Sequence, residues 1–444
     1  MPMKKYMVSF VLIALLGAGT VAAQPVISEK QDVAIFALGY YGWNVPIQAL
    51  GSIDAQIQKV FADLGRFTIV GVTQRLSMRG LDQFVSAIKQ AKQANFVLPE
   101  KYQFGEAFLT QAEFNRLVGA FIVVVPVVTE FNSFYDSKNK YYQTTIKTSV
   151  TFVDVAAGGN VIAVKIISSS GTDSQNQAKS VSSAISSIPG FLEFEIRSIP
   201  QFQINTRVLS IDGSTIKLQM GANMGIRKGD EYAIIQKRSV EGFDDSKEAG
   251  LVVVKDVGQE VSSARVLYSS VRLGKDTQLK EIPRAGSDFD LFFRYVNDPT
   301  YPTLMPGLRV TAARGFYSVR PYLAVQMPLS HMGNFLYWGG LLEILPFNFL
   351  LGAEYVLYLG KLAVSPYAGV GLSYIHVETD LLNFETDFLS HVGGQAGARV
   401  SYLLNRNTRF FADLGYETWM AINDFWNNTS YGGVAAGLGI AFKL

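Results

Sequence analysis

The chain holds three histidines, His331, His376 and His391, and no cysteine in 444 residues. Lacking a thiol, it excludes thiolate catalysis, disulfides, cysteine metal sites and a lipid anchor on an N-terminal cysteine. One residue set that performs lipid-ester chemistry is a Ser/His pair, with or without an acid, on one rim of a fold. His376 with Ser373 is too close in sequence to be informative, and no His-x-Ser pair lies near the C-terminus. Titratable groups without converging partners do not make a catalytic site. Glu378, Asp380, Glu385 and Asp387 crowd one stretch. Their oxygens suit calcium, but the spacing matches no EF-hand and reads as a solvated acidic loop. Gly225 to Gly229 with Lys228 lacks the Gly-Lys-Ser/Thr ending and following helix of a phosphate loop. Catalytic, cofactor-binding and metal-ligating residues are therefore all expected to be absent. Net charge is +2 with 17% charged residues, and no basic patch points to nucleic acid.

The charges that do carry a pattern lie after residue 300, on segments where every second residue is apolar. Val434, Ala436, Leu438, Ile440, Phe442 and Leu444 form one such row, with Ala435, Gly437, Gly439, Ala441 and Lys443 between them. Period two means a strand with two unlike faces. Eight strands are predicted at 306–314, 317–327, 334–345, 347–359, 362–376, 388–403, 408–419 and 431–444, with 288–304 as a linker. That number and spacing suit a membrane-spanning β-barrel. With the apolar rows turned to lipid, Arg309, Arg320, Glu343, Glu354, Arg399, Arg409, Asp413, Glu417 and Lys443 all point inward, five cations against four anions. An eight-stranded barrel is just wide enough for side chains to fill, and unpaired buried charge costs several kcal/mol. A closed, ion-paired interior without a large pore is the expectation. Tyr317, Trp338, Tyr358, Tyr367, Tyr402, Tyr416 and Trp419 suit interfacial girdles. Long connections at 377–387 and 420–430 are expected outside, and His331 in a turn on the periplasmic side.

Upstream, Lys4, Lys5, the apolar run Val8 to Gly19 and Val21-Ala22-Ala23 read as a secretory signal over 1–23, cut before Gln24. Residues 24–200 read as an α/β domain in the order β-α-β-α-β-β-β-α, and 201–287 as a small all-β domain with glycine turns. The fold class expected is thus multidomain, ending in an eight-stranded antiparallel transmembrane barrel.

Several stretches resemble known families. Leu438, Ile440, Phe442 and Leu444 resemble the C-terminal strand signal of bacterial outer-membrane proteins, although the last residue is Leu rather than an aromatic. The eight strands together resemble an OmpA-type barrel. Phe67-Thr-Ile-Val-Gly-Val-Thr-Gln-Arg75, Gly119-Ala-Phe-Ile-Val-Val-Val125 and Thr151-Phe-Val-Asp-Val-Ala-Ala-Gly158 resemble the periplasmic domain of the CsgG and TolB N-terminal type. Gly221 to Asp230 between strands resembles the C-terminal β domain of FlgT. These resemblances imply a bacterial outer-membrane location with residues 24–300 in the periplasm. They imply the bilayer and an envelope protein as partners, with self-association as a further option. Tethering is the expected function; a narrow pore or an oligomeric export channel is the alternative, and a lipid-modifying enzyme the third.

Overall fold

The computed structural model describes residues 27–41, 45–91, 101–104, 107–119, 121–240, 243–300, 302–337, 340–379, 384–422 and 429–444. The signal region 1–23 lies outside them.

The first domain is a three-layer α/β sandwich. Its sheet runs β2 (Phe67–Arg75), β1 (Gln31–Ala37), β3 (Ile122–Asp136), β4 (Tyr141–Asp154), β5 (Asn160–Asp173). The central strands are apolar on both faces because both are covered. Val33 and Ile35 enter one core with helices α1 (Ile47–Asp63) and α4 (Gln177–Arg197). Ala34 and Phe36 enter the other with α2 (Met78–Ala91) and α3 (Gln111–Val118). Helical spacing from about Glu106 to Leu117 suggests a third helix; the observed α3 starts only at Gln111, because Lys101–Phe104 and Ala107–Thr110 pair as a hairpin before it. Thr110 and Glu113 then close a capping box on α3.

The second domain is a closed six-stranded barrel. Its strands are β6 (Asn205–Asp212), β7 (Thr215–Leu218), β8 (Glu231–Gln236), β9 (Lys247–Val257), β10 (Ser262–Ser269) and β11 (Gln278–Ile282), in the order β7-β10-β9-β8-β11-β6. The last of these strands is not legible as one in the sequence, and it is what closes the barrel.

The C-terminal region is a closed, up-and-down antiparallel barrel of eight strands: β12 (Ser287–Asn297), β13 (Thr303–Ala312), β14 (Val319–Gln326), β15 (Gly340–Tyr355), β16 (Leu362–Thr379), β17 (Phe384–Asn405), β18 (Thr408–Ala421) and β19 (Tyr431–Lys443). Each pairs with the next, and β19 closes on β12. The count matches the expectation but the strands differ. Residues 288–296 are the first strand, not linker. The two strands expected at 334–345 and 347–359 are one ladder strand, β15, with the short Gly333–Tyr337 folded against its start.

This shift exchanges the sides of the early connections. Residues 313–318 lie beside the six-stranded barrel, where Gly315 donates its amide to Lys228 O at 2.7 Å. His331, expected in a turn on that side, lies in the connection 327–339 at the opposite end. Strand pairing also runs further outward than expected, with Glu378 opposite Glu385, so most of 377–387 is ladder. The side chains of Glu378, Asp380, Glu385 and Asp387 lie outside the described residues.

Candidate functional site

Among the described residues no pocket brings catalytic groups together; their polar chemistry is concentrated in the lumen of the eight-stranded barrel and in the junction beneath it. The alternation that builds the strands sorts the side chains. Leu323, Leu351, Val370 and Leu414 stand outward and are 63%, 60%, 69% and 62% exposed. Their neighbours one residue away point inward.

The charged side chains in the lumen stack in tiers. Asp288 and Lys443 sit at the end carrying both barrel termini, opposite each other across β12 and β19. Arg320 and Arg409 pair with Asp288, the latter at 3.4 Å. Asp290 holds Arg399 at 2.6 Å and Arg309 at 3.8 Å, and Arg309 also pairs with Glu354. Further along, Arg294 reaches Asp413 at 3.0 Å and Glu417 at 3.4 Å. The guanidinium carbons of Arg309 and Arg399 lie 3.8 Å from the ring centres of Tyr322 and Phe411, which adds cation–π attraction where water is excluded. Of the nine inward charges expected, eight are placed in the lumen. The side chain of Glu343 lies outside the described residues. Asp288, Asp290 and Arg294 were missed because their segment read as linker, although the period-two spacing of Asp288, Asp290, Phe292 and Arg294 was there to see.

Beyond the charges the lumen is closed by large rings packed over glycines. Trp419 is fully buried, donates to Glu417 at 2.8 Å, and lies against Gly371 and Gly393. A Cβ on Gly393 would sit 2.3 Å from Thr418 O and 2.5 Å from the Trp419 ring. Gly393→Ala is therefore expected to lower the barrel's unfolding midpoint in urea by about 1–3 kcal/mol of stability, the cost of overpacking. Tyr367 likewise points inward, accepting from Arg294 and donating to Asp413 at 3.2 Å. Trp419 and Tyr367 are thus lumen residues rather than girdle residues. Tyr402 and Tyr416 do face outward, at 43% and 56% exposure. Tyr317 and Tyr358 pack against each other at a tilt, ring centres 5.3 Å apart, beside the six-stranded barrel. Trp338 lies outside the described residues. His391 is buried in the lumen between Ser390 Oγ at 2.9 Å and Thr429 O at 3.1 Å. An adjacent alcohol and a backbone carbonyl do not make a nucleophile–base–acid set.

Beneath the lumen, the three domains meet in a second ion network. Glu281 of β11, fully buried, accepts from Arg66 at 2.7 Å, Arg197 at 2.7 Å and the Ile204 amide at 2.9 Å. Burial alone pushes its carboxyl up, but Arg66 and Arg197 outweigh that and hold it down at about 2. The Arg197 guanidinium is in turn held charged: burial disfavours it, and Glu281 and Asp230 more than compensate. Asp230 takes Arg197 at 3.2 Å and Arg314 at 2.7 Å. Arg314 also pairs with Glu193 of α4, and Glu231 pairs with Arg284 at 3.1 Å and with Lys443. Gly225 packs so tightly on α1 that a Cβ would lie 1.9 Å from Leu64 O, and its φ of +73° suits glycine.

Among the described residues no group of acidic and histidine side chains is placed to hold a metal ion, and no helix is long and apolar enough to cross a membrane. No family model matches the chain and no curated protein matches it. Among solved structures, Neisserial surface protein A is 16% identical over 36% of this chain and 96% of its own, with a TM-score of 0.24. A major outer membrane protein from Thermus thermophilus is 14% identical over 36% of this chain and 99% of its own, TM-score 0.23. Ail, the attachment invasion locus protein of Yersinia pestis, is 12% identical over 36% and 97%, TM-score 0.24.

Proposed function

We propose that the chain is a non-enzymatic outer-membrane protein whose closed barrel anchors two periplasmic domains for contact with another envelope component. The observation that carries this is the inverted barrel. Apolar side chains cover the outside and ion pairs fill the inside, the reverse of a soluble barrel. A soluble protein rarely exposes an apolar surface that runs around all its strands. A bilayer removes that exposure, and closure leaves no strand edge unpaired in lipid. The filled lumen argues against the pore reading. The CsgG/TolB-like and FlgT-like resemblances of the upstream domains support a periplasmic position for residues 24–300 and an envelope protein as partner, with a second copy of the chain as the other option. Leu438, Ile440, Phe442 and Leu444 would serve as the strand signal for barrel insertion.

The test is the membrane fraction run on SDS gels, boiled against unboiled. A urea-resistant pellet with a faster unboiled band is expected, because a closed barrel resists SDS until heated. A soluble protein with one band position would sink the membrane reading.

A further inference from the structure

The lumen's ion pairs do not all close within the eight-stranded barrel. Arg294, Arg309, Arg320, Arg399 and Arg409 each pair with carboxylates of the barrel itself, among Asp288, Asp290, Glu354, Asp413 and Glu417. Lys443 is 8% exposed, at the end where both barrel termini lie, and pairs outside the barrel. Its ion-pair partner is Glu231, which comes from β8 of the six-stranded barrel and is 4% exposed. Glu231 also binds Arg284, and Arg284 donates to the carbonyls of Arg406 at 2.6 Å and Lys443 at 3.1 Å on the rim.

Two further features seat the same surface. Ala233, Leu251, Val253, Leu267 and Ile282 of the smaller barrel share an apolar cluster with Leu403 of the larger. Gly229 approaches the rim so closely that a Cβ would lie 2.2 Å from Ala313 O.

We propose that the six-stranded barrel is a fixed plug of the eight-stranded one: it covers the mouth beside the barrel termini and supplies, through Glu231, the carboxylate that pairs with Lys443. The larger barrel then depends for its own stability on a domain outside the lipid, and the periplasmic region is held in one orientation beneath it. Without Glu231, Lys443 is a buried cation without a carboxylate, a state more costly than losing both partners together.

The experiment uses the full chain folded in detergent, with thermal unfolding followed by far-UV circular dichroism and, for the eight-stranded barrel, by the temperature at which the unboiled gel band shifts. Glu231→Gln is expected to lower the barrel's transition by about 5 °C, and adding Lys443→Met to it to restore most of the loss. An unchanged barrel transition in E231Q, or a double variant whose losses simply add, overturns the proposal. Should E231Q fail to accumulate, recovery by the E231Q/K443M pair supports it and failure to recover overturns it. A wild-type protein without any gel shift speaks only against the membrane reading, since circular dichroism still compares the variants.

Discussion

Glu281→Ala is expected to weaken the seat of the α/β domain on the six-stranded barrel by about 3–5 kcal/mol, the cost of leaving a buried charge without its partner. The carboxylate is fully buried and holds two arginines from the α/β domain, Arg66 at the start of β2 and Arg197 at the end of α4. Both are themselves 3% exposed or less, so neither can turn to water when the carboxylate is removed. The loss should appear as protease cutting between the α/β domain and the six-stranded barrel in otherwise intact protein, with the gel shift of the eight-stranded barrel much less affected. Glu281→Gln keeps the hydrogen-bond shape and should lose less. The same group sets a pH dependence. Its carboxyl sits at about 2 when folded, against an ordinary 4.5. A depressed folded value means the stabilisation is complete above about 4.5 and is lost as pH falls from there toward 2. Urea midpoints of the two upstream domains measured between pH 6 and pH 2.5 should fall in that window, and the E281Q protein should show a flatter profile. Equal slopes for the two proteins would contradict the assignment.

The second large effect concerns the outer face of the barrel. Leu414 stands near the middle of β18 and is 62% exposed. In water, replacing so exposed a leucine by arginine changes stability by about 0.5 kcal/mol or less. In a bilayer, arginine at the midplane of a strand's lipid face costs about 2–4 kcal/mol. Leu414→Arg is therefore expected to lower the barrel's stability in lipid vesicles by the larger amount, measured by reversible urea unfolding. Thr408→Arg, at the strand end, serves as the control and should cost less because the penalty falls toward the interface. Equal and negligible costs at both positions would mean that no lipid covers this face.

How much of this was legible beforehand follows from the kind of signal each feature leaves. The inward set Arg309, Arg320, Glu354, Arg399, Arg409, Asp413, Glu417 and Lys443 was readable because alternation is local: two residues on one strand either share a face or do not. Residues 288–296 have the same alternation, but Asn297-Asp298-Pro299 reads equally as the end of a linker and as the first outer turn. Only the pairing of β12 with both β13 and β19 decides between them. The split near Pro346 was the compensating error. Proline cannot donate to a ladder. Here, on the side away from β16, it falls between a register that ends at Ile344 and one that begins at Asn348, and the strand runs through.

The fold of the α/β domain was similarly readable in its helices and central strands, where apolar runs and helical spacing are strong, and unreadable in the Lys101–Phe104 hairpin, whose partners are each other and leave little pattern. Trp419 and Tyr367 were misplaced because an aromatic near a strand end suits an interfacial girdle; alternation puts Trp419 on the face of Asp413 and Glu417, and glycines on other strands leave room for both rings in the lumen.

The sequence by itself determined that the last third of the chain is strands with an apolar face and a charged one, and that the charges nearly balance. It could not determine which charge meets which, because ion pairs in a closed barrel join residues such as Arg294 and Glu417 whose separation along the chain carries no code. Nor could it show that Asp230 and Glu281 of a small β domain face arginines from both neighbouring domains, and Glu231 faces Lys443. Those contacts exist only once three separately closed cores are stacked on each other, and their energy is set by burial that no single segment creates.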